Sequence, residues 1–134
     1  MLLESHIAPK STVDLVTIAQ ALHWFDNPNF YQQVKYVLKK SHGVVAAWCY
    51  TVPQVNVAID AVFKPFYSVH CEPYWDPACK KVDNEYRSID FPFEPADGLD
   101  HTEFTRAWGE DGTQSKTVVF PVYLRIGKVG SLDI

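Results

Sequence analysis

Glycine is scarce in this sequence of 134 residues: six are present, and no two stand in Gly-x-Gly spacing. That excludes a dinucleotide- or nucleoside-binding turn of the chain's own, whose backbone must approach its ligand closely. No Walker phosphate loop is present, and no Gly-x-Ser-x-Gly elbow, which excludes a hydrolase of that type. Cysteines number three, an odd count. Cys49, Cys71 and Cys79 lie in or near apolar stretches, which fits reduced thiols and a cytoplasmic location rather than a secreted disulfide framework. Cys49 in particular reads as a small core residue and not a nucleophile. His70, Cys71, Cys79 and His101 could be assembled into a metal site on paper. Without a Cys-x-x-Cys knuckle, no metal site is expected.

Positive charge is equally thin. Lys39-Lys40 and Lys80-Lys81 are only pairs, and a net charge of −4 with a pI near 5.6 gives no basic face. Nucleic acid is therefore not an expected partner. No apolar run approaches the roughly 18 residues of a membrane span, so no membrane partner is expected either. The opening MLLESHIAPK lacks the apolar core of a signal peptide. With no repeat, low-complexity tract or linker, residues 1–134 read as one domain.

What the chain does hold is 47% hydrophobic residues, with four Trp, seven Tyr and eight Phe. The most informative stretch is STVDLVTIAQALHWFD at residues 11–26. Val13–Ala19 is an almost unbroken apolar run of strand length, suited to a strand buried on both faces. Gln20, His23, Trp24 and Phe25 gather where that strand would end. Asp26-Asn27-Pro28 then signals a helix start. In open α/β sheets ligands sit beyond the carboxyl ends of the strands, so this cluster is a candidate site. His23 has two readings, a hydrogen-bonded structural histidine or a functional one. Trp24 and Phe25 are either loop anchors or ligand contacts.

Pro28–Lys40 places Phe30, Val34, Val37 and Leu38 on one helical face and ends in cations and Gly43. Val44–Tyr50 (VVAAWCY) is a second buried strand. Strand, helix, strand predicts a βαβ unit with parallel strands and a right-handed crossover. Val55–Phe63 predicts a second helix with Val55, Ile59, Val62 and Phe63 on one face, ended or kinked by Pro65. Asp76-Pro77 opens a short third helix. Tyr86–Phe91 has strand character, and Glu94–His101 reads as a loop. Glu103–Trp108 reads as the last turns of a helix. The hairpin-like GEDGTQ at 109–114 leads into a long strand within Lys116–Val129, whose Pro121 implies an edge or a bulge.

The run VDLVTIAQALHWFDNPNFYQQVKYVLKKSHGVVAAWCY resembles the fourth strand, following helix and fifth strand of class I S-adenosylmethionine-dependent methyltransferases. The resemblance is to the type 11 group, plant members related to trans-aconitate methyltransferase. It continues through PYWDPACKKVDNEYRSIDFPFEP and FTRAWGEDGTQSKTVVFPVYLRIGKVG. It implies an α/β fold with strands in the order 3-2-1-4-5-7-6, the seventh antiparallel. Val13–Ala19 would then be strand four, Val44–Tyr50 strand five, Tyr86–Phe91 strand six and Thr117–Gly127 strand seven. The implied cofactor is S-adenosyl-L-methionine, and the implied substrate a small-molecule acceptor such as a carboxylate. By the same resemblance Ala19, Gln20 and Ala21 are candidate cofactor-binding residues, His23 and Trp24 candidate substrate-binding residues, and His23 the candidate catalytic residue. An aromatic face suits a sulfonium cation.

The family's first three strands, with their glycine-rich loop and ribose-binding acid, would precede Ser11. The chain therefore reads as the C-terminal half of the fold, a partial Rossmann-like sheet of strands four to seven. Residues 96–102 read as a shortened junction, because relatives carry a helical stretch between FPFEP and FTRAW. Strand four would lose its neighbour and present an open apolar edge, a template for self-association. Each large side chain left exposed forfeits about 1.5–3 kcal/mol, against a typical total stability of roughly 5–15 kcal/mol. The alternative to a methyltransferase is thus a non-catalytic remnant or interaction module without cofactor binding.

Overall fold

The computed structural model describes residues 7–96, 101–108 and 117–130. Along them run β1 (Leu15–Ala19), α1 (Asn27–Val37), β2 (Val44–Tyr50), α2 (Val57–Pro65), α3 (Lys80–Asp83), β3 (Glu94–Pro95), β4 (His101–Trp108) and β5 (Val118–Lys128). The GEDGTQ segment and positions 97–100 of the expected junction lie outside the described residues.

β1 and β2 are parallel, with Leu15 opposite Val44 and Ala19 opposite Trp48. α1 connects them, so the expected βαβ unit is present. The apolar run at 13–19 becomes a shorter strand than its length suggests, with Val13 making only an isolated bridge to Leu38. β5 lies antiparallel to β2, Val44 opposite Lys128 and Tyr50 opposite Val122. β4 and β3 both pair antiparallel with β5, at residues 118–125 and 127–128 respectively. Those positions overlap the stretch that β2 occupies, so β3 and β4 share the far edge of β5 end to end. The resulting order, β1-β2-β5 and then β3 with β4, reproduces the expected 4-5-7-6 sequence with its antiparallel strand.

The sixth-strand position is nevertheless filled by different residues. Tyr86–Phe91 is not a strand, because Glu85 and Tyr86 both take left-handed backbone angles (φ 62° and 60°) and turn the chain. Arg125 of β5 then donates to the Tyr86 and Ile89 carbonyls at 2.9 and 3.0 Å, removing both from any ladder. β4 fills the position instead, from residues expected as a loop and a helix end. Its β-branched Thr102 and Thr105 suit a strand, and pairing with β5 satisfies their backbone groups. Pro121 sits opposite Thr105, and its carbonyl accepts from Thr51 just past the end of β2.

One face of the sheet is packed. Ile18, Val45, Ala47, Cys49 and Tyr123 meet Tyr31, Val34 and Leu38 near or on α1, with Tyr86, Ile89, Phe91 and Phe93 of the following segment. Gly127 has no room for a side chain, since a Cβ there would lie 2.6 Å from that of Phe93. The Tyr31 hydroxyl ties α1 to the Asp90 carbonyl at 2.8 Å. On the opposite face Leu15, Tyr50 and Phe104 are exposed, whereas Ala46 of β2 and Val122 of β5 are buried.

The Asp14 carbonyl and the Gln20 amide face β2, each in a 2.8 Å bond. By strand alternation Leu15, Thr17 and Ala19 direct their backbone groups to the other edge. Among the described residues no strand pairs that edge.

α2 forms where the apolar spacing predicts, capped by Asn56, whose side chain accepts from the Ile59 amide at 2.9 Å. Pro65 is its last residue, and a π-turn at 66–70 follows. No side chain of α2 is buried, however: Ile59 is 48% exposed and Val62 73%. Among the described residues no helix is long and apolar enough to cross a membrane.

Candidate functional site

β1 ends at Ala19, and Gln20 turns the chain in a left-handed conformation (φ 50°). That conformation is uncommon for a residue with a side chain, and strain of this kind clusters at functional sites. Its backbone amide still donates to the Trp48 carbonyl at 2.8 Å. Its side chain reaches the Tyr50 main chain, accepting from the amide at 2.8 Å and donating to the carbonyl at 3.3 Å. The side-chain amide thus extends the β1–β2 pairing by one rung after the backbone has left it.

A single 3-10 turn, Leu22–Trp24, follows. Leu22 is fully buried and anchors the turn in the core. His23 is also buried, at 5% exposure, and its Nδ1 lies 2.8 Å from the Tyr86 hydroxyl. Burial, with a smaller effect from the Lys81 cation, holds the His23 pKa below its ordinary 6.5, so the ring is neutral at pH 7. Trp24 turns outward at 55% exposure, its ring 4.7 Å from that of His23. Phe25 is 39% exposed and packs on Phe30 of α1 at 4.7 Å. α1 then begins with Pro28 in its first turn, as the Asp-Asn-Pro signal predicts.

The structure therefore keeps Ala19, Gln20, Ala21, His23 and Trp24 together where β1 ends, but in different surroundings. Ala19 is exposed and Ala21 half-buried, two small residues beside the outward Trp24. The Gln20 amide is engaged by Tyr50, and His23 faces inward to Tyr86. Tyr86 went unnoticed in the sequence. It lies 63 residues from His23, within a stretch that reads as a strand, and no spacing signal links the two.

Beyond the turn, a cavity of about 280 Å³ lies between Asn27, Pro28, Tyr31 and Lys35 on one side and Asp90 and Pro92 on the other. His70 and His101, components of the paper metal site, bond elsewhere, to the Pro65 and Glu85 carbonyls. No group of three or more His, Cys, Asp or Glu side chains placed to hold a metal occurs among the described residues.

No protein-family model matches the chain. A Dictyostelium discoideum protein named "Putative methyltransferase" is 37% identical over 89 residues, which are 64% of this chain and 34% of that protein. The chain thus spans about a third of the length of this curated relative. A solved structure titled "The Structure of a Putative Type II Methyltransferase from Anaeromyxobacter dehalogenans" superposes with a TM-score of 0.68 at 24% identity. That match covers 90% of this chain and 66% of the other. The chain has a mixed α/β fold shared with that structure and a sequence similar to that of the Dictyostelium protein.

Proposed function

We propose that these residues form the acceptor-facing part of an S-adenosylmethionine-dependent methyltransferase of the type 11 group, acting in the cytoplasm on a small-molecule carboxylate. The observation that carries this reading is the group at the end of β1: small Ala19 and Ala21 beside an exposed Trp24. The group lies where α/β sheets hold their ligands. The similarity to a named methyltransferase supports it.

The residues suit the cofactor in shape and in aromatic character. Ala19 and Ala21 leave room for it, and Trp24 offers a ring face that attracts a sulfonium cation. Gln20 contributes through the turn it fixes, its amide being bonded to Tyr50. When bound, the cofactor supplies a methyl group on a cationic sulfur. An ionised carboxylate needs no proton removed before it attacks, so positioning is the main demand on the protein. The test is titration with S-adenosylhomocysteine at millimolar concentration, followed by tryptophan fluorescence. The expected result is a change that disappears in Trp24→Ala; no change in the unaltered protein overturns the reading.

A second reading, association without catalysis, is favoured by the edge of β1 that no strand pairs among the described residues and by the exposed Leu15, Tyr50 and Phe104. Unpaired strand edges recruit further strands. On this reading the chain self-associates at micromolar concentration in sedimentation velocity, and a clean monomer counts against it.

A further inference from the structure

We infer that Tyr86 is a positioning residue that locks His23 in the tautomer with its proton on Nε2, so that His23 offers the acceptor an N–H donor and not a base. This deepens the proposed reading of the site and rests on it.

Tyr86 is fully buried, and among the described residues its hydroxyl bonds to His23 Nδ1, at 2.8 Å. A hydroxyl carries one proton, which needs an acceptor. Were Nδ1–H the donor, the hydroxyl's own proton would be buried without a partner, a costly arrangement; the hydroxyl therefore donates to Nδ1. Nδ1 is therefore the acceptor, and a neutral imidazole must then carry its proton on Nε2.

The electrostatics agree. Burial pushes the Tyr86 hydroxyl far above its usual range, so it keeps the proton that it donates. Burial also keeps His23 neutral. The two ring nitrogens point away from each other, so with Nδ1 turned to Tyr86 in the core, Nε2 is directed away from it. Tyr86 reaches this place through a left-handed backbone (φ 60°), unusual for an aromatic residue. Its carbonyl is held there by Arg125 at 2.9 Å. An N–H donor suits a carboxylate or carbonyl oxygen, whereas a base would suit an acceptor that must first lose a proton.

The test is nitrogen-15 NMR of the imidazole side chains. In the unaltered protein His23 is expected to show a protonated Nε2 and an unprotonated Nδ1. In Tyr86→Phe the single tautomer is expected to give way to a mixture in which the form with its proton on Nδ1 is detectable. A proton on Nδ1 in the unaltered protein, or an unchanged single tautomer in Tyr86→Phe, overturns the inference. Should Tyr86→Phe fail to fold, the unaltered protein decides through the proton shared by the two side chains. Coupling of a Tyr86 hydroxyl proton to an unprotonated His23 Nδ1 is expected; a proton bonded to Nδ1 overturns the lock. Failure of the methyltransferase reading shows separately, as a missing response to S-adenosylhomocysteine.

Discussion

The amide of Gln20 clasps the main chain of Tyr50, Oε1 accepting from its nitrogen at 2.8 Å and Nε2 donating to its oxygen at 3.3 Å. Two side-chain bonds thereby continue a ladder that the backbone of β1 has already abandoned. Each bond contributes about 0.5–1.5 kcal/mol net, and both lie at the surface. Gln20→Ala is expected to lower unfolding stability by about 1–2 kcal/mol, measured by urea denaturation with an unchanged slope. Gln20→Gly should cost less, because glycine relieves the left-handed strain at φ 50°.

The buried, neutral His23 makes stability depend on pH in a definite window. Its folded pKa lies below 6.5, whereas in the unfolded chain it titrates near about 6.5. Between those values the unfolded chain binds a proton that the folded chain refuses. Stability is therefore full above about pH 6.5 and falls as the pH drops through the window. Asp14, whose carboxyl Lys39 holds below 3.8 through a hydrogen bond, adds a loss at still lower pH. Melting temperature followed from pH 7.5 to 5 should decline in the unaltered protein and stay flatter in His23→Asn.

Much of the β1–α1–β2 unit is legible because its signals are local. Continuous apolar runs mark both strands, and Asp26-Asn27-Pro28 with Gly43 brackets the helix. The candidate site's address follows from those elements, because a strand's carboxyl end is known once the strand is. What the Gln20 and His23 side chains bond to is not legible, because Tyr50 and Tyr86 come from distant segments. The strand-six error has the same origin. Tyr86–Phe91 carries residues that favour strands, yet the left-handed pair Glu85-Tyr86 and the donors of Arg125 override that preference. In α2 the spacing of Ile59 and Val62 predicts a helix correctly, but helical periodicity does not say what covers the apolar side.

Cys49 is fully buried, and burial pushes its thiol up to about 12. The thiolate is the reactive form, so this residue is expected to be inert in the folded chain. Cys71 and Cys79 are half-buried, although burial and the nearby Asp76 and Asp83 also raise the Cys79 thiol. Brief iodoacetamide treatment at pH 8 followed by mass spectrometry should modify Cys71 first, then Cys79, and leave Cys49 untouched until denaturant is added. Modification of Cys49 at the rate of the others would mean that the β1–β2–β5 core opens readily.

Arg125 is the buried strut on which the turn beyond α3 rests. It donates to the Tyr86 and Ile89 carbonyls and lies 5.0 Å from the Phe91 ring centroid. Arg125→Met keeps an unbranched apolar stem but leaves both carbonyls without that donor. Each buried acceptor so deprived costs about 1–3 kcal/mol, so a loss of about 2–6 kcal/mol is expected in denaturant titration. The same change releases the carbonyl that steadies the left-handed Tyr86. Its hydroxyl should then hold His23 less firmly, and the imidazole nitrogen resonances should broaden at temperatures where the fold is intact. A variant as stable as the unaltered protein, with sharp His23 resonances, would show that the turn holds itself.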